Sequence, residues 1–198
     1  MANADQLKII PFRSPKHFEV WLEKYHHQSD GLWMRLFKKD SGKTTITYAE
    51  ALDCALCYGW IDGQKKSLDA LSWIQRFTPR RARSEWSRRN TEHVARLIKS
   101  RRMKPAGLKQ IEAAKKDGRW GRAYDSPSKM TIPNDFMNEL EKNKKAQTFF
   151  NSLNKSNQYA IGYRLQTAKK PETLMKRKKE ILAMLARGEA FHSFKPKV

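Results

Sequence analysis

The residues with chemistry to offer gather in one stretch and its continuation. These are Tyr58-Gly59-Trp60-Ile61-Asp62-Gly63-Gln64 and Trp73-Ile74-Gln75-Arg76-Phe77-Thr78-Pro79-Arg80. Asp62 is the carboxylate of the first. Set across from Arg76 or Arg80, it would stay ionised and hold a guanidinium fork in place. As a general base it lacks a nearby His, Ser or Cys to complete a relay. Its other reading is a turn or capping acid that holds a hairpin. Trp60, Trp73, Phe77 and Trp86 stand among arginines. Rings interleaved with guanidiniums offer a platform to single-stranded nucleic acid or to a flat cationic or aromatic ligand. The same rings would equally fill a core between a sheet and helices. Arg76, Arg80, Arg81 and Arg83 repel one another unless an anion or carboxylates answer them. The candidate ligand-binding set is Trp60, Asp62, Gln75, Arg76, Thr78, Arg80, Trp86 and Asn90.

Charge widens the argument beyond these residues. The chain of 198 residues carries 41 Lys+Arg against 20 Asp+Glu, a formal charge of +21. Such a surface draws polyanions: nucleic acid, anionic headgroups, phosphate ligands or acidic proteins. Cys54-x-x-Cys57 falls late in an expected helix, where the dipole opposes a thiolate. It reads as two packed, reduced cysteines rather than a redox or zinc pair. No ligand set for a metal and no Gly-rich phosphate loop is evident, so neither metal nor cofactor is expected. Met1–Gln6 starts no basic and apolar leader, and no apolar run reaches the roughly 20 residues of a membrane helix. A cytoplasmic location follows as the expectation.

Several elements would position the central stretch. Ser14-Pro15 caps and starts a helix over 15–26, with Phe18, Trp21, Leu22 and Tyr25 as its apolar stripe. Leu32–Phe37 reads as a strand. Thr47-Tyr48-Ala49-Glu50 is a capping box that opens a helix to Tyr58, with Gly59 placed to end it. Trp60–Lys66 and Leu71–Thr78 read as an antiparallel hairpin that Pro79 stops. Ser84 and Asn90 are N-cap candidates for a basic helix carrying Val94, Leu97 and Ile98. Pro105 starts another helix, which Gly118 ends. From Pro133 onward the periodicity is helical throughout, and 191–198 reads as a tail.

Motifs in these elements resemble the YdeI/OmpD-associated (bacteriocin-protection) family. They are Tyr58-Gly59-Trp60-Ile61-Asp62-Gly63, Gln75-Arg76-Phe77-Thr78-Pro79-Arg80, Ser84-x-Trp86-Ser87-x-x-Asn90, Met103-x-Pro105-Ala106-Gly107, Asp117-Gly118-Arg119-Trp120 and Ala168-Lys169-Lys170-Pro171-Glu172-Thr173. The resemblance covers nearly the whole chain. It implies an α+β N-terminal domain with a helical C-terminal region, and a tie to survival of bacteriocins and cationic antimicrobial peptides. It implies no reaction and no cofactor. Two positions depart from the family pattern: Arg101 stands where glycine is expected, and Leu174 where arginine is common.

The expected fold class is α+β, a small antiparallel sheet flanked by helices and followed by a C-terminal helical module. The expected domains are 1–124 and 133–190, with 125–132 as linker. Three functional readings stand. The first is a non-enzymatic cytoplasmic stress or antimicrobial-peptide-resistance protein that binds an anionic partner through the Arg-rich face. The second is a nucleic-acid-binding protein using that same surface. The third is a small-molecule enzyme built around Asp62 with Arg76 and Arg80.

Overall fold

The computed structural model describes residues 7–126 and 128–194; Met1–Gln6, Pro127 and 195–198, including the end of the expected tail, lie outside the described residues. The capping box forms. The Thr47 hydroxyl accepts from the Glu50 amide while the Glu50 carboxylate accepts from the Thr47 amide. This starts α2 (Tyr48–Cys57), and Gly59 follows it with φ +75°. Ser14 likewise caps α1 (Pro15–Tyr25), accepting from the His17 amide, with Pro15 in the first turn.

Four strands form one sheet in the order β1-β2-β4-β3: β1 (Ile9–Pro11), β2 (Leu32–Phe37), β3 (Trp60–Ser67) and β4 (Ser72–Pro79). The β3–β4 hairpin and the β2–β4 ladder are antiparallel, as expected. The sheet as a whole is mixed, because β1 runs parallel to β2 with Ile9 opposite Trp33. Three residues are too few to show a period of two in the sequence, so β1 went unread. A bulge between Asp62 and Lys65 breaks the β3 register. The Gln75 amide fills it, donating to the carbonyls of Gly63 at 2.8 Å and Gln64 at 3.3 Å.

Helix α1 packs its stripe on one face of this sheet. Phe18 meets Phe77 at 5.8 Å between ring centroids, and Trp21 meets Trp60 edge-on at 5.6 Å. Phe18, Leu22, Met34, Leu36, Leu52, Leu56, Trp60 and Phe77 are buried together in this unit's interior. The end of α2 lies against the start of α4 (Pro105–Lys116), with the Lys104 amide donating to the Cys57 carbonyl. A β-carbon on Gly107 would come within 2.3 Å of the Cys57 carbonyl oxygen, so only glycine permits that approach.

Between them runs α3 (Arg88–Lys99). Neither expected cap acts as one. The Ser84 hydroxyl accepts from the Arg81 amide in a tight turn before the helix, and Asn90 lies buried inside its first turn. Just before the helix, Ser87 forms an isolated bridge with Tyr124. Arg101, two residues past α3, has φ +55°. This is the position where the resemblance leads glycine to be expected.

Described residues up to 84 together with 90–120 form one compact unit, and 85–89 with those from 121 onward form another. The second unit is helical: α5 (Asn134–Glu141), α6 (Lys144–Ser152), α7 (Lys155–Gln166) and α8 (Pro171–Ala186). Asn143 and Asn154 cap α6 and α7 through their side-chain oxygens. Phe136, Leu140, Phe150, Leu153, Ile161, Leu165, Ile181 and Leu185 make the core. Lys178 is buried beside that core and is held by Asp135. The architecture is α+β, and among the described residues no helix is long and apolar enough to cross a membrane.

Candidate functional site

The hairpin distributes the candidate residues instead of collecting them. Residues opposite one another in a ladder share a face, and neighbours along a strand alternate. Asp62 lies opposite Phe77, so it shares the helix-packed face with Trp60. Arg76 lies opposite Trp33, one residue out of step with Phe77, and so projects from the other face together with Thr78. The expected Asp62–Arg76 pair is therefore not formed. The Tyr48 hydroxyl, from the first turn of α2, donates to the Asp62 carboxylate at 2.6 Å. Asp62 thus ties the hairpin to a helix, the structural reading of that acid.

The remaining candidates are mostly interior. The Trp60 ring is in the core, and its N–H donates to the His26 carbonyl at 3.1 Å. Gln75 is buried and committed to the bulge. Arg80 is only 5% exposed, and its amide donates to the Gly59 carbonyl. Asn90 is buried in the first unit, whereas Trp86 is buried in the second. Arg81, Arg83, Arg88 and Arg89 are exposed.

An exposed cationic edge does survive on the outer part of the hairpin. Gly63 to Ser67 of β3, an edge strand, are all exposed. Lys65 sets its ammonium 4.3 Å from the centre of the Trp73 ring, and Lys66 lies 5.0 Å from that of Trp33. The Arg76 guanidinium lies flat against Gly63, where an added β-carbon would stand 3.1 Å from its Nε. That Nε is shielded from solvent and has no hydrogen-bond partner among the described residues. By register Lys65 and Trp73 lie on the helix-packed face, and Lys66, Arg76 and the buried Trp33 on the other, so the edge strand offers cations to both faces. Lysines also guard such an edge against pairing with another chain.

One ionic cluster escaped the sequence reading. Asp53, on α2 and 8% exposed, accepts from Arg96 at 2.7 and 2.8 Å and from His93 Nδ1 at 2.9 Å. Arg102 stands 3.9 Å from Asp53 and 3.3 Å from Glu19 of α1. Burial pushes the Asp53 carboxyl up, but the hydrogen bonds of Arg96 and His93 outweigh it and leave the carboxyl below its ordinary value. The carboxylate requires the Nδ1–H form of His93. Asp53 and its partners lie some 40 positions apart, so no local pattern could have announced them.

Behind this cluster are the two cysteines, free and buried. Burial, with Glu19 nearby, pushes the Cys54 thiol up to about 12, and burial pushes Cys57 up to about 11. Thiols held protonated are poor nucleophiles, in keeping with packed, reduced cysteines.

Comparison with protein families divides the chain much as the coordinates do. Residues 10–110 match the model described as a domain of unknown function (DUF8412), and residues 129–188 match Bacteriocin-protection, YdeI or OmpD-Associated. The chain belongs to the DUF8412 family and carries a YdeI/OmpD-associated region. No curated protein and no solved structure matches it. In the first unit the motif residues hold the fold. Gly59 and Gly107 admit the α2–α4 approach, Gln75 fills the bulge, and Arg119 is buried. The Arg119 guanidinium donates to the Asp117 carboxylate at 2.7 Å and to the Ser84 carbonyl at 2.8 Å. The YdeI/OmpD-associated region contains the Lys169-Lys170-Pro171-Glu172-Thr173 motif at the start of α8.

Proposed function

We propose that this chain is a non-catalytic, cytoplasmic stress or resistance protein that acts by binding an anionic partner, with nucleic acid as the favoured class. The description of the C-terminal match, bacteriocin protection, supports the resistance role. The observation that carries the binding role is the exposed edge of the hairpin, which presents Lys65 beside Trp73 on one face of the sheet and Lys66 with Arg76 on the other. A charged polymer running along this open strand edge meets cations from both faces. The excess of +21 then adds long-range attraction and a steep dependence on salt. The arrangement at Asp62 favours the binding reading over an enzyme, since its carboxylate accepts from the Tyr48 hydroxyl and Arg76 projects from the other face.

The test is a titration of the full chain with short single-stranded RNA and DNA across a salt series. Each phosphate contact contributes about 0.7 to the slope of log K against log salt, so K65Q/K66Q/R76Q lowers the slope by about 2. Absence of affinity at low salt would remove nucleic acid as the partner. An unchanged slope in the triple variant would remove this surface.

A further inference from the structure

A second cationic site lies in the second compact unit. The chain turns from α7 into α8 beside an open cavity of about 490 Å³. Its wall brings together Lys169, Lys170 and Arg177, with Glu85 as the opposing acid. Arg177 is held from behind. One of its terminal nitrogens donates to the Arg164 carbonyl at 2.6 Å and reaches the Thr167 hydroxyl at 3.3 Å. Thr167 is itself anchored, donating to the Tyr163 carbonyl at 2.7 Å. The guanidinium is thus oriented by the end of α7, and its other two nitrogens have no hydrogen-bond partner among the described residues. Among the described residues, Lys169 is the one cation of the three in an ion pair, with Glu85 at 3.0 Å. Lys170 is exposed.

Three further features suit an anion with several oxygens. Thr173 adds a hydroxyl to the wall. Lys170 is the N-cap residue of α8 but provides no side-chain cap, so the amides of Glu172 and Thr173 are left for an incoming acceptor. Tyr163 forms an aromatic side of the cavity, its ring edge-on to Tyr124 at 4.8 Å. Burial, with Glu85 nearby, pushes the Tyr163 hydroxyl up, so it stays protonated and able to donate. The volume exceeds a bare phosphate ion and falls within the size range of small-ligand sites.

We infer that this cavity is a binding site for a small phosphate monoester. Its dianionic phosphate is held between Lys169, Lys170 and Arg177, and its organic part lies against Tyr163. The site is separate from the hairpin surface and goes beyond the reading above. It also gives a role to the Lys169–Thr173 motif, which nucleic-acid binding at the hairpin leaves unused.

The experiment is calorimetric titration of the full chain with inorganic phosphate and phenyl phosphate at constant ionic strength, with phenyl sulfate as the monoanionic counterpart. The second ionisation of a phosphate ester lies near pH 6, so affinity rises from about pH 5.5 to about pH 7.5 for phenyl phosphate but not for phenyl sulfate. K169Q/K170Q weakens phenyl phosphate by about tenfold or more, the loss of one or two charge-assisted contacts. E85Q frees Lys169 and tightens binding about threefold. K144Q/K145Q removes the same charge elsewhere in the unit and leaves the affinity within about twofold. K65Q/K66Q/R76Q, altered at the hairpin, binds phenyl phosphate as the parent does, so failure of one site is distinguishable from failure of the other. The inference is overturned by absence of saturable binding, by equal weakening in K144Q/K145Q, or by E85Q that fails to tighten.

Discussion

Replacing Asp53 with asparagine tests whether the buried ionic cluster holds the first unit together. The substitution keeps the shape of the side chain and removes its charge. Asp53 collects hydrogen bonds from Arg96 on both oxygens and one from His93. A hydrogen bond to a charged group contributes about 1.5–3 kcal/mol when shielded from water. The Arg96 side chain is 54% exposed, so solvent screens its share to about 1 kcal/mol or less. The His93 side chain is 19% exposed and keeps more of its contribution. The loss is about 2 kcal/mol, which moves a urea midpoint down by roughly 1 M at ordinary slopes. The pH dependence has a definite sign. A carboxyl whose folded-state value lies below its unfolded one stabilises the fold above the unfolded value, and protonation removes that contribution as pH falls. The gap between parent and D53N is therefore constant near neutrality and narrows as pH is taken below 3.8, the ordinary value. The assay is urea unfolding followed by tryptophan fluorescence at a series of pH values. Coincident midpoints at neutral pH, or a gap that fails to narrow in acid, refutes the reasoning.

Two further predictions concern the backbone. Arg101 holds φ +55°, a left-handed conformation that costs a residue with a β-carbon about 1 kcal/mol. Arg101→Gly relieves that strain, partly offset by the greater freedom of glycine in the unfolded chain. It raises stability by about 0.5 kcal/mol, read as a higher midpoint on urea unfolding; a lower midpoint counts against it. Gly107→Ala acts the other way. Its β-carbon would meet backbone oxygens of Cys57 at 2.3 Å and Leu56 at 2.8 Å, neither of which can swing aside. The α2–α4 contact must open, and stability falls by about 3 kcal/mol or more, or the soluble yield collapses. An alanine variant as stable as the parent would mean that the helices do not approach so closely.

Local chemistry by itself determined the starts of α1 and α2, the hairpin and the α+β class. The capping box at Thr47, the caps Ser14 and Gly59, and the stop at Pro79 each act through atoms a few positions away, so their residue types suffice. The motif Lys169–Thr173 was legible in the same way, but its cavity was not, because Glu85 and Arg177 come from distant parts of the chain. Tertiary structure alone decided what the central stretch does. Strand register put Asp62 and Arg76 on opposite faces, and a shift of one residue would have reversed that assignment. Asp53 found His93 and Arg96 only when α2 and α3 came side by side. Charge is summed along the chain, but a site needs charges to converge, and convergence is set by register and packing.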